Sequence, residues 1–175
     1  MAIIYDIIET VRNFMESGGQ VLWAIFFTTL LLWIMIIERF MFFNFEIPKT
    51  LDKVKKMWLN REERKSWYAH KIREATVSEI KHAVHGPISL IKMLVALCPL
   101  LGLLGTVTGM ISVFDVMAVT GTGNARLMAS GISMATIPTM AGMVAALSGV
   151  FLGNRLEEKA KKICKSLEDE LGFDL

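Results

Sequence analysis

The sequence has few of the side chains that build metal sites, disulfides and catalytic centres. Among its 175 residues there are two cysteines and three histidines. Cys98 lies in an apolar run and Cys164 in the charged C-terminal part, so we expect no disulfide between them and two reduced thiols. His82 and His85 lie three residues apart, but no cysteine, aspartate or third histidine nearby completes a set of metal ligands. We therefore predict no metal, no cofactor and no enzymatic activity.

Charge is absent from three long stretches of the chain. Residues 17–37, 93–114 and 127–153 contain no charged side chain over 21, 22 and 27 residues. A helix of about 20 apolar residues is long enough to cross the hydrocarbon core of a bilayer. The first run could be a signal peptide, but acidic residues precede it and no small-residue cleavage pattern follows. We therefore predict an all-α integral membrane protein with three transmembrane helices.

The basic residues are distributed unevenly between the segments that flank these runs. Twelve lysines and arginines lie from Arg39 to Lys92, whereas Arg12 is the only one in the first twenty residues. Segments rich in lysine and arginine remain on the cytoplasmic side, which predicts an external N-terminus. The predicted segments are an external N-terminal segment (1–16), transmembrane helix 1 (17–43), a cytoplasmic helical segment (44–92), transmembrane helix 2 (93–118), a short external turn (119–126), transmembrane helix 3 (127–153) and a cytoplasmic helical tail (154–175).

The predicted cytoplasmic segment is too charged to lie in lipid. Pro48 and the pair Gly86 and Pro87 divide it, so we expect short helices beneath the membrane. Its basic run at 53–65 has the composition of a nucleic-acid patch. The interleaved acidic residues and the neighbouring span favour contact with membrane lipids instead, and no nucleic-acid partner is expected. In the tail, apolar residues at helical spacing predict a helix with one packed face.

Small residues recur at helical spacing in the second and third uncharged runs. In the second run they are Gly102, Gly105, Thr106, Gly109 and Ser112, and in the third Gly131, Ala135, Thr139, Gly142, Ala146, Gly149 and Gly153. Such stripes allow helix backbones to approach closely. Two interpretations remain open: copies of the chain surround a narrow passage or a guest helix, or the two spans pack together within one chain. The glycines at 102–109 lack the strand and lysine of a phosphate-binding loop.

Two strings within these runs carry a family resemblance. GLLGTVTG at 102–109 and GISMATIPT at 131–139 resemble the two C-terminal spans of ExbB, in the MotA/TolQ/ExbB family of proton channels. The resemblance implies a multi-pass protein of the bacterial inner membrane, whose external side is the periplasm. It further implies a five-fold homo-oligomeric ring whose second and third helices enclose the transmembrane helices of an ExbD-like single-span partner. Proton flow then drives a TonB-like protein that opens outer-membrane transporters, and Thr106 and Thr139 match threonines that face the enclosed partner.

The sequence departs from this family pattern at one position. Many relatives carry a glutamate near the start of the third span, where this chain has Met134. Because no acidic residue remains in the core of any span, the titrating carboxylate must come from the partner. Asp115 is a candidate charge at the outer mouth, although interface anchoring is the default role of such residues. A TolQ-type motor, a flagellar-stator motor and a passive scaffold for partner helices remain alternatives, and the ion is H⁺ or Na⁺.

Overall fold

The computed structural model describes residues 2–60, 66–121 and 125–170, and every regular element within them is helical. Outside these ranges lie part of the predicted external turn, the last five residues of the predicted tail, and Arg61, Arg64 and Lys65 of the basic run. The helices are α1 (Ala2–Ser17), α2 (Gly19–Met41), a π-helical segment (Phe42–Glu46), α3 (Ile47–Leu59), α4 (Trp67–Thr120) and α5 (Ala125–Glu170).

Three helical stretches among the described residues are long and apolar enough to cross a membrane. They are Gly19–Leu59, Trp67–Val119 and Met128–Asp169, and each contains all but at most two residues of one of the three uncharged runs. The prediction of an all-α protein with three such helices is therefore confirmed. Two glycines adopt the left-handed backbone conformation that favours glycine: Gly19, at the start of α2, has a φ of +66°, and Gly121, directly after α4, has a φ of +73°.

The predicted helix interruption at Gly86 and Pro87 is wrong, because α4 continues through both residues. Gly86 has no Cβ to clash with the ring of the following proline, which removes part of the usual cost. Pro87 has no N–H for the carbonyl of Ala83, its partner four residues earlier in an α-helix. The guanidinium of Arg39 donates a hydrogen bond to that carbonyl, at 3.2 Å. Pro48, in contrast, lies in the first turn of α3, at the predicted boundary.

The chain divides into two compact units, each formed by parts of several helices. The first unit comprises residues 1–32 and 93–149, and the second comprises residues 33–92 and 150–175. In the first unit, Leu22, Ile25 and Leu32 of α2 are buried together with Cys98 of α4 and Ala135 of α5. This unit contains the small-residue stripes of the second and third spans.

In the second unit the long helices bury aliphatic side chains against one another. Val84, Ile88 and Ile91 of α4 are almost completely buried, as are Leu156 and Ala160 of α5. The predicted packed face of the tail is therefore confirmed for the part of α5 that is described. An ion pair between Lys92 and Glu157, at 2.7 Å, joins the same two helices.

Candidate functional site

The small residues of α4 and α5 lie in backbone contact with each other within the first unit. A Cβ atom on Gly142 would lie 2.6 Å from the carbonyl oxygen of Cys98, and one on Gly109 would lie 2.6 Å from Cα of Ala135. Real Cβ atoms do not approach backbone atoms this closely, so even alanine requires one helix to move. Glycine at these positions is what allows the two helices to touch.

The same relationship extends along both helices. A Cβ on Gly105 would meet the ring of Pro138, and one on Gly131 would meet the side chain of Val113. A Cβ on Gly149 would lie 2.5 Å from the side chain of Val95. The remaining predicted packing residues, Gly102, Ala135 and Ala146, are buried as well. The sequence left two arrangements open for these stripes. The contacts within the single chain are those expected when its second and third spans pack against each other.

Thr139 contributes a hydrogen bond across this helix pair. Its Oγ1 donates to the carbonyl oxygen of Gly102 at 3.0 Å, and Thr139 is half-buried. In an α-helix the same carbonyl accepts the backbone N–H of Thr106, four residues later. The Thr106 hydroxyl donates to the carbonyl of Leu103 at 2.7 Å. The two threonines that the family resemblance singled out therefore lie at one level of the helix pair.

Thr139 and Met134 lie on different flanks of α5. At about 100° per residue the two side chains project about 140° apart around the helix axis. The methyl group of Met134 lies 3.6 Å from the place where a Cβ on Gly19 would be, so it faces the beginning of α2. Thr139 points instead to Gly102 of α4. A carboxylate at position 134 would thus not share the flank of Thr139 in this chain.

A third hydroxyl near this flank was missed by the sequence reasoning. Thr136 projects about 60° from Thr139 around α5 and is exposed. Its hydroxyl donates to the carbonyl of Ile132 at 3.1 Å. It lies within the string GISMATIPT but does not belong to the small-residue stripe. The signal available in the sequence was a second threonine about one turn from Thr139 in an uncharged run.

The structure does not bring Asp115 together with the threonines. Asp115 is exposed and lies nine residues after Thr106, which places it about 180° around α4 and about 13 Å along its axis. Within the described residues there is also no group of three or more histidine, cysteine, aspartate or glutamate side chains that could hold a metal ion. What this site offers chemically is a set of hydroxyl groups and carbonyls between closely packed helices.

Comparison with known proteins identifies relatives of these helices. A sequence model described as the MotA/TolQ/ExbB proton channel family matches residues 42–169, more than two thirds of the chain. A putative ExbB-like biopolymer transport protein of Synechocystis is 49% identical over 61 residues, covering 33% of this chain and 24% of that protein. The biopolymer transport protein exbB1 of Vibrio cholerae is 33% identical over 98 residues, covering 55% of this chain and 43% of that protein. The matches thus span less than half the length of either relative.

Proposed function

Because the chain belongs to the MotA/TolQ/ExbB proton channel family, whose members are transport components and not enzymes, we propose that it is an ExbB-like ring subunit of a proton-driven motor. The ring lies in the bacterial inner membrane and encloses the helices of an ExbD-like partner. Its motion energises TonB-dependent transport through the outer membrane. The observation that carries this proposal is the hydrogen bond from Thr139 of α5 to the Gly102 carbonyl of α4, about one helical turn from Thr106.

The threonines suit a proton path that the chain cannot complete alone. None of the three uncharged runs contains a carboxylate, so an acidic residue of the partner's helix carries the proton. When these hydroxyls turn from the carbonyls of Gly102 and Leu103 to that carboxylate, they donate hydrogen bonds to its charged form, which favours release of the proton. Each proton that moves through 100 mV supplies about 2.3 kcal/mol for motion.

The exposed faces of the spans support an assembly of several copies. The glycines of the second and third uncharged runs, at 102–109 and 131–153, are occupied by contacts inside one chain, so the surfaces of these spans left for neighbours, partner and lipid are apolar side chains and the threonine flank. Among the exposed side chains are Leu103 at 59%, Val144 at 70% and Leu147 at 74%. In five-fold symmetry each copy would present the flank of Thr106 and Thr139 to the central partner helices.

Proton flux through the assembled complex tests this proposal. The chain is reconstituted with its ExbD-like partner in vesicles that contain a pH-sensitive dye, with and without Thr106→Val and Thr139→Val. Valine keeps the shape of threonine and removes the hydroxyl, so we expect assembly to persist. Flux should fall by about tenfold or more, because a hydrogen bond to a charged group contributes about 1.5–3 kcal/mol. Thr28→Val is the matched control, because the Thr28 hydroxyl donates only to its own backbone at Ala24.

Three results would contradict the motor proposal in different ways. Full flux in the double threonine variant would show that the two hydroxyls are not part of the proton path. Flux that persists after the partner's carboxylate is replaced would show that the carboxylate is not the proton carrier. A complex that assembles but never conducts, even with all native residues, would favour the passive scaffold.

A further inference from the structure

A groove lies between α2 and α5 in the second unit. Its volume is about 410 Å³. The lining residues are Ile36 and Phe40 of α2, and Leu152, Arg155, Leu156, Glu158, Lys159 and Lys162 of α5. One half of the wall is thus aliphatic and aromatic, and the other half is charged. A groove with both characters fits a ligand that is itself amphipathic.

The charges in the groove are mainly positive. Arg155, Lys159 and Lys162 follow one another at intervals of four and three residues, so they project within about 60° of each other around α5. Glu158 is the single carboxylate in the lining, which leaves an excess of two positive charges. No ion pair involves Arg155 or Lys162 within the described part of the chain. Both cations remain available to an anion.

Other contacts hold the basic wall in place. The ammonium group of Lys159 donates to Oδ1 of Asn44 at 2.5 Å and lies 5.3 Å from the ring centroid of Phe40. The guanidinium of Arg155 lies 5.5 Å from the ring centroid of Phe151. Cations placed over aromatic faces are partly ordered before any ligand binds, which lowers the entropy cost of binding.

The groove begins where the apolar part of α5 ends. Residues 127–153 carry no charge, and Arg155 is the first charged residue after them. The three cations therefore start at the level where the hydrocarbon core gives way to lipid headgroups. Ile36 and Leu152 line the apolar part of the groove, and the ring of Phe40, 56% exposed, lies at its opening.

We propose that this groove is a specific site for an anionic glycerophospholipid. The phosphate is bound by Arg155 and Lys159, Lys162 interacts with the outer part of the headgroup, and one acyl chain lies along Ile36, Leu152 and Phe40. A free phosphate would use the cations alone, and a zwitterionic lipid would bring its own cation into a groove that already has an excess of them. This site is independent of the motor function, since it requires only that the spans lie in a membrane.

Native mass spectrometry of the purified 175-residue chain in mild detergent tests the site. Phosphatidylglycerol, cardiolipin or phosphatidylcholine is added at equal concentration, and bound lipid and the thermal unfolding midpoint are recorded. Each basic residue near a membrane surface contributes about fivefold to binding of an anionic lipid. We therefore expect Arg155→Ala with Lys162→Ala to weaken retention of phosphatidylglycerol about 25-fold. Phe40→Ala should weaken it while leaving the positive charge unchanged.

The matched control is Lys49→Ala with Lys81→Ala, which removes the same charge from exposed positions of α3 and α4 that do not line the groove, and it should leave retention unchanged. If the double variant does not fold, retention of phosphatidylglycerol is measured with Lys162→Ala alone, because Lys162 is exposed and its replacement should not disturb folding. Equal retention in both double variants would overturn the site. Equal stabilisation by phosphatidylcholine would overturn recognition of the anionic headgroup, and stabilisation by glycerol 3-phosphate alone would show a phosphate site and no lipid site.

Discussion

The guanidinium of Arg39 donates a hydrogen bond to the carbonyl oxygen of Ala83, at 3.2 Å. The backbone of α4 itself offers that carbonyl no hydrogen-bond donor, because the residue four positions later is Pro87, which has no N–H. Arg39 is only 6% exposed, and its charge lies 4.6 Å from the ring centroid of Phe42. A buried cation from α2 thus supplies the donor that the proline removes from α4.

This relationship predicts that the effects of Arg39 and Pro87 on stability are coupled. Arg39→Gln should destabilise the chain by about 1.5–3 kcal/mol, the usual range for a hydrogen bond to a charged group. In a Pro87→Ala background the Ala83 carbonyl recovers a helical N–H, so the same substitution should cost less. Thermal unfolding of the two single variants and the double variant in detergent measures the coupling. Additive effects would show that Arg39 does not compensate for the proline.

The glycine contacts predict that two Gly→Ala substitutions on α5 have very different effects on the free energy of unfolding. Gly142→Ala places a Cβ against the backbone at Cys98, and overpacking of this kind costs about 1–3 kcal/mol. Gly153→Ala meets only the side chain of Ile91 at 3.8 Å, an ordinary contact, and should be neutral or stabilising by up to about 1 kcal/mol. Unfolding midpoints of the single chain in detergent check this. Equal midpoints would show that α4 and α5 are not in close contact there.

The predicted orientation can be tested by cysteine labelling of intact cells. Val119 is 87% exposed near the end of α4, and Met57 is 59% exposed on α3. A membrane-impermeant maleimide should label Val119→Cys in intact cells and Met57→Cys only after permeabilisation. A background of Cys98→Ala and Cys164→Ser removes the two buried native thiols. Labelling of position 57 in sealed cells would reverse the orientation.

The ion pair of Glu157 predicts a loss of stability in acid. Hydrogen bonds from Lys92 and Lys161 lower the pKa of the Glu157 carboxyl below its ordinary value. A depressed pKa contributes stability above the unfolded pKa of about 4.3 that is lost as pH falls through the folded value. Wild type should therefore exceed Glu157→Gln in unfolding midpoint at pH 7, and the difference should vanish in more acidic buffer.

Glu158→Gln provides the control for this pH dependence. Glu158 lies next to Glu157, and no ion pair is found for it within residues 125–170 or the other described ranges. Its replacement removes one carboxyl from the same turn of α5 without removing the bridge to Lys92. If Glu158→Gln reproduced the acid profile of Glu157→Gln, the effect would come from helix charge and not from the ion pair.

The sequence by itself determined the membrane class, the three spans and the family. These features depend on local properties: runs of more than 20 residues without charge, and short strings such as GLLGTVTG. The small-residue stripes were visible in the sequence too, but their helical spacing shows only that one face of each helix lacks bulky side chains. It does not show which neighbour that face contacts.

Tertiary structure alone decided the contacts between residues far apart in the chain. Thr139 reaches Gly102 across 37 positions, Arg39 reaches Ala83 across 44, and Lys159 reaches Asn44 across 115. Gly86 and Pro87 carry a local signal for a helix end, and the packing of Val84, Ile88 and Ile91 together with the donor from Arg39 outweighs it. Such contacts depend on the distance, rotation and register between whole helices, which no pattern within one helix contains.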